Sequence, residues 1–150
     1  MKLKHLLSAE QLINKKILNE FLSLSEKMDK ATKQGRIKET LKEKVIACLF
    51  FEPSTRTRLS FSSAALRLGA KVITMENGSV SSSAFKGESV EDTTKMVNGY
   101  ADLIVMRHPG EGSVMKAAEV STVSVVNAGD GGHEHPTQAL IDLYTIKKEL

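Results

Sequence analysis

Four short apolar runs, each followed by a helical pattern, constrain this chain more than any other feature. The runs are Val45–Phe51 (VIACLFF), Lys71–Met75 (KVITM), Asp102–Met106 (DLIVM) and Val123–Asn127 (VSVVN). Val45–Phe51 has no period of two, as expected of a strand buried on both faces. Helical patterns fill 54–68, Ser89–Tyr100, Glu111–Glu119 and Pro136–Leu150. Strand, helix, strand, helix implies parallel strands joined by right-handed crossovers. The expected fold class is α/β: a four-stranded parallel sheet with helices on both faces, a Rossmann-like three-layer sandwich. The 150 residues suffice for one domain over 1–150 with a real core.

Ahead of the first run, Ser8-Ala9-Glu10-Gln11 fits a capping box, with Ser8 as N-cap. Ile13, Ile17, Phe21, Leu24 and Met28 then recur at helical spacing. One amphipathic helix is expected from Ser8 to about Gly35. Residues 1–44 carry eleven Lys/Arg against six Asp/Glu. The lysines are interleaved with acids, and the whole chain has two Tyr and no Trp for base stacking. A solvated helix face fits this better than a nucleic-acid surface. No apolar run approaches the roughly 18 residues of a membrane span. The single cysteine, Cys48, falls inside an apolar run and reads as a buried, inert thiol. A cytoplasmic protein without membrane or nucleic-acid partners is the expectation.

In parallel α/β sheets, ligands bind beyond the carboxyl ends of the strands. The unusual polar residues of this chain lie there. After the first strand, Ser54-Thr55-Arg56-Thr57-Arg58 packs three hydroxyls and two guanidinium groups into five residues. A helix N-terminus offers unpaired N–H groups and a partial positive charge, which suits phosphate. The hydroxyls add donors and Arg56 adds a charge-assisted fork. A cap alone needs one hydroxyl. The spacing is not that of a nucleoside-triphosphate P-loop. Arg58, one turn on, either joins this site or pairs with an acid such as Glu52.

Arg107 ends the third strand and can supply a second cation. His135 precedes Pro136, a favoured first helical residue, and can donate to a carbonyl oxygen, act as acid/base, or simply cap. Gln138 follows within one turn, and its amide suits an amide-like group. His133 is expected to be exposed and His108 structural. No two histidines have metal-ligand helix spacing and Cys48 is elsewhere, so a metal is not implied. Lys86 lies in a Ser/Gly-rich loop over 77–88. Alone, it reads as a solvent lysine.

The segments FFEPSTRTRLSF, KGESVEDT, VMRHP and HPTQALIDLYTI, in this order and spacing, resemble the transcarbamoylase family. The resemblance covers essentially the whole chain and favours the family's aspartate branch over its ornithine branch. It implies that Ser54, Thr55, Arg56 and Thr57 hold the phosphate of carbamoyl phosphate, with Arg107 also contacting this substrate. Arg56, Thr57 and His135 would face the carbonyl oxygen, and Gln138 the amino group. Lys86 would reach a neighbouring subunit's site, accompanied by Ser82, four residues earlier, or by Ser83. The implied reaction joins carbamoyl phosphate to L-aspartate, giving N-carbamoyl-L-aspartate, a pyrimidine precursor, and phosphate. The implied assembly is a homotrimer, with or without a regulatory chain. Family catalytic chains are about twice this long. The sequence is therefore read as the carbamoyl-phosphate half, with the aspartate-binding half absent and little transferase activity expected of it alone.

Overall fold

A computed structural model describes residues 3–76 and 87–150. Its centre is a sheet of β1 (Val45–Phe50), β2 (Lys71–Glu76), β3 (Leu103–His108) and β4 (Ser124–Asp130). The strands run in the order β2-β1-β3-β4, and every pairing is parallel. The helices are α1 (Lys15–Lys33), α2 (Thr55–Arg67), α3 (Val90–Val97), α4 (Ser113–Val120) and α5 (Pro136–Glu149), with a 3-10 turn at Ala9–Leu12. The expected four-stranded Rossmann-like arrangement is therefore what forms.

Two apolar layers hold it. On one face Ala47, Leu49, Ile104, Met106 and Val125 pack against Val97 of α3 and Val114 and Ala117 of α4. On the other, Ile46, Cys48, Phe50, Val105 and Ala128 pack with Ala65 of α2. Both sets come from the same strands, which explains why their sequences are continuously apolar. Ile104 and Val125 are fully buried. Truncating Ile104 to alanine would cost about 2–5 kcal/mol. The thiol of Cys48 is buried as expected, and burial raises its pKa.

The single helix expected from Ser8 is broken. Ser8 and Gln11 do form their capping box, but it closes only the 3-10 turn. Asn14 then accepts from the N–H groups of Lys16 and Ile17 and starts α1 anew. Ile13 falls in the joint and is 77% exposed, and Leu24 is 55% exposed. Leu12, Ile17 and Leu22 are the buried residues here. The last strand also exceeds its apolar run. Ala128, Gly129 and Asp130 belong to β4 and are buried, so the glycine-rich loop begins at Gly131.

Residues 5–7 form an arm along β4. Leu6 N donates to Val125 O at 2.9 Å, and Asn127 N donates to Leu6 O at 2.8 Å. The side-chain amide of Asn127 donates to Leu7 O at 2.8 Å, and Val125 N donates to His5 Nδ1 at 3.1 Å. A sheet edge that would otherwise expose its peptide groups is covered.

Candidate active site

The carboxyl ends of β1, β3 and β4 open on one cleft of about 750 Å³. Ser54, Arg56 and Thr57 line it from the start of α2, Arg107 from the end of β3, and His135 and Gln138 from the start of α5. Six residues expected from sequence are thus brought together. Ser60, Phe61, Ala64, Thr137 and Ile141 complete the lining. Thr55 lines a smaller pocket of about 80 Å³ next to it, with Ser54, Glu52, Arg58 and Glu76. The positions expected at Ser82, Ser83 and Lys86 lie outside the described residues.

The first intrahelical bond of α2 runs from Arg58 N to Ser54 O at 3.1 Å. The N–H groups of Thr55, Arg56 and Thr57 precede it, so they point out of the helix end. The Ser54 hydroxyl makes no capping bond and is not committed to the helix. Arg56 is exposed, whereas Ser54 and Thr57 are half-buried. This is a set of donors without a paired acceptor set, the chemistry that an oxyanion or phosphate needs.

Arg107 is placed by an irregularity in the sheet. Met106 pairs with Asn127 and His108 with Asp130, so Arg107 faces two residues, Ala128 and Gly129. Such a bulge re-aims the side chain beside it. Arg107 Nη1 donates to Ala128 O at 3.2 Å and Nε to Glu52 Oε1 at 2.6 Å. Gly129 has φ +131°, and a Cβ there would lie 2.8 Å from Arg107 Nη1. The glycine thus makes room for the guanidinium.

Arg58 takes the second of its two expected roles, but with a different acid. It pairs with Glu76 at the end of β2. Glu52 is taken by Arg107, because β1 lies between β2 and β3 and its end faces the end of β3.

His135 is the N-cap of α5, yet its side chain makes no capping bond. Its ring nitrogen Nδ1 lies 3.2 Å from Thr137 Oγ1. Burial lowers its pKa, Arg107 lowers it further, and Asp142 opposes both. The ring is therefore held neutral at neutral pH, and a neutral ring keeps one N–H to donate. Gln138 Nε2 donates to Asp142 Oδ1 at 2.9 Å. Asp142 was missed from sequence, although the four-residue helical spacing was there to find it. His133 is exposed. His108 is structural: its Nδ1 accepts from Gly110 N at 2.9 Å, and its ring lies 5.0 Å from that of Phe51. Among the described residues, no group of His, Cys, Asp and Glu is placed to hold a metal ion. No helix of these residues is long and apolar enough to cross a membrane.

Fold and cleft together define a parallel α/β domain with an anion-suited strand edge. Residues 4–148 match the family model for the aspartate/ornithine carbamoyltransferase carbamoyl-P binding domain, and the chain belongs to that family. It is 49% identical over 148 residues to the aspartate carbamoyltransferase catalytic subunit of Methanocaldococcus jannaschii, covering 99% of this chain and 48% of that protein. A crystal structure of the M. jannaschii catalytic subunit superposes with a TM-score of 0.91 at 50% identity, over 98% of this chain and 47% of the other. Trypanosoma cruzi aspartate transcarbamoylase, solved with carbamoyl phosphate and aspartate, gives 0.90 at 37% identity, over 98% and 48%. The chain thus spans about half the length of the curated relatives it matches.

Proposed function

We propose that this chain forms the carbamoyl-phosphate side of an aspartate carbamoyltransferase site. The observation that carries the reading is the convergence of Ser54, Arg56, Thr57, Arg107, His135 and Gln138 on one cleft. In this reading the open N–H groups of α2 and the hydroxyls of Ser54, Thr55 and Thr57 hold the phosphate, with Arg56 and Arg107 supplying the cations. Arg56, Thr57 and His135 donate to the carbamoyl oxygen, and the carbonyl of Gln138 accepts from the carbamoyl amide.

The α-amine of L-aspartate attacks the carbamoyl carbon, and negative charge grows on the oxygen. Fixed donors there lower the barrier, each contributing about 10²–10³ in rate. The C–O bond to phosphate then breaks, and phosphate leaves with the electron pair onto a helix end that already holds it. The amine loses its proton to the departing phosphate oxygen as the C–N bond forms. No metal or organic cofactor takes part in this scheme. Aspartate binds through a second half of the family length, and a homotrimer, with or without a regulatory chain, is the assembly the resemblance implies. The roles of Lys86 and Ser82 at a neighbouring subunit's site rest on that resemblance.

Calorimetric titration of the chain with carbamoyl phosphate, beside inorganic phosphate, tests the reading. Carbamoyl phosphate should bind more tightly. Arg56→Ala should weaken both ligands by about 1.5–3 kcal/mol, roughly ten- to a hundredfold. Equal affinity for the two ligands would reduce the site to a phosphate-binding module. An Arg56→Ala variant that binds as the parent does would remove the anion site from α2.

A further inference from the structure

Glu134, the residue before His135, makes a contact that the site as described does not use. Its carboxylate Oε2 accepts from Ala9 N at 2.9 Å, joining positions 125 residues apart. Its carbonyl accepts from Asp130 N at 3.0 Å, where β4 ends. The turn that leads into α5 is therefore tied on two sides, by backbone to the sheet and by side chain to the arm.

The arm is itself fixed. Gln11 Oε1 accepts from Leu7 N and Ser8 N at 2.6 and 3.1 Å, closing the turn that presents Ala9 N. Asn127, 1% exposed, grips Leu6 and Leu7 through its backbone and side-chain amides. The Asn127 Oδ1 also accepts from Gly129 N at 2.8 Å. The arm thus rests on the stretch of β4 that forms the bulge beside Arg107. By contrast, His135 has little of its own to hold it. As N-cap it makes no side-chain bond to the helix backbone, and its ring meets only the Thr137 hydroxyl, at 3.2 Å.

We propose that Glu134 is a positioning residue, which clamps the His135 turn to the N-terminal arm and so sets the imidazole over the cleft. Carbamoyl discrimination then depends on a hydrogen bond made outside the cleft, while the phosphate end of the site, built on α2, does not. The inference deepens the reading of the cleft as a carbamoyl-phosphate site and rests on it for its ligand.

Three variants test the clamp. Glu134→Ala removes the acceptor. Glu134→Gln retains an oxygen that can accept from Ala9 N. Ala9→Pro removes the donor and leaves Glu134 intact. Proline suits the first residue of a helical turn, and Ser8 before it already has the extended backbone that proline requires, at φ −138° and ψ 157°. Each folded variant is titrated with carbamoyl phosphate and with inorganic phosphate. The His135 ring is followed by NMR across pH.

In Glu134→Ala and Ala9→Pro, the preference for carbamoyl phosphate over phosphate should fall about tenfold, as for the loss of one hydrogen bond to the carbamoyl group. Affinity for inorganic phosphate should stay within about twofold. The His135 titration should move up towards the ordinary histidine range as the ring gains water. Glu134→Gln should match the parent in all three measurements. Unchanged preference and titration in Glu134→Ala would overturn the clamp, as would a Gln variant that behaves like the Ala variant. An unchanged Ala9→Pro would overturn it even if Glu134→Ala does not fold. If the parent itself shows no carbamoyl preference, the ligand reading fails, and the His135 titration alone then decides whether the clamp exists.

Discussion

Arg107 and Glu52 close an ion pair at 2.6 Å across the ends of β3 and β1, at the edge of the cleft. Their side chains are only about a quarter exposed, at 23% and 27%. The carboxylate fixes the guanidinium and also offsets part of its charge. Glu52→Gln keeps an acceptor for Arg107 and removes the negative charge. Inorganic phosphate should then bind about three- to tenfold more tightly at low salt, with the gain shrinking as salt screens it. Titration at two ionic strengths checks this. No gain at either would show that Glu52 acts on Arg107 by position alone.

Gly129 should tolerate no side chain. Its φ of +131° is one that other residues rarely adopt, and a Cβ would meet the Arg107 guanidinium. Gly129→Ala should cost about 1–3 kcal/mol of stability from backbone strain. It should also weaken phosphate binding about as far as Arg107→Ala does. Thermal unfolding and phosphate titration of both variants, run together, separate the two effects. Parent-like phosphate affinity in Gly129→Ala would mean that the guanidinium finds another route to the cleft.

Stability should fall on mild acidification. His5 and His135 both have pKa values held below the ordinary 6.5, chiefly by burial, with Lys4 adding to the effect at His5 and Arg107 at His135. His5 Nδ1 also accepts from Val125 N, which requires that nitrogen to be unprotonated. The unfolded chain takes up these protons more readily than the folded one. The contribution is therefore complete above pH 6.5 and is lost as pH falls from there through the folded-state values. The carboxylates of Asp29, Asp92 and Asp102 act with the same sign but at lower pH, since their ordinary value is 3.8. Urea midpoints above and just below pH 6.5 should differ in the parent. They should differ less when both histidines are replaced by glutamine.

Cys48 should resist alkylation in the folded chain. It is fully buried, and burial raises its pKa, so little thiolate forms. Mass spectrometry after iodoacetamide should find no adduct at pH 8 in native buffer and a complete one in urea. Rapid native labelling would mean that β1 opens locally.

The sequence was most legible where the physics is local. The apolar runs gave strands to within a few residues, because strands buried on both faces leave a continuous signature. The anion-suited donors of α2 were legible for the same reason: a helix end and its hydroxyls are neighbours in the chain. Misreadings came from spatial order. Arg58 has Glu52 six residues before it as one candidate acid, whereas strand order gives Glu52 to Arg107 and leaves Glu76 to Arg58. The bulge that aims Arg107 depends on pairing between β3 and β4, and only Gly129 hints at it. The N-terminal stripe suggested one helix, since periodicity alone does not reveal that Asn14 restarts the backbone. The arm's contacts with β4 and Glu134 have no local signal at all.

The separation within those contacts has a consequence for biosynthesis. His5 and Leu7 meet Val125 and Asn127 across 120 positions. At about 5–20 residues per second, a ribosome needs on the order of ten seconds to deliver the partners. Throughout that interval the arm has no strand to lie on. The His135 turn emerges only after β4, when the arm is already free to dock. Assembly of this corner of the cleft therefore waits until β4 and the His135 turn have been made, and the arm settles only then, long after its own synthesis.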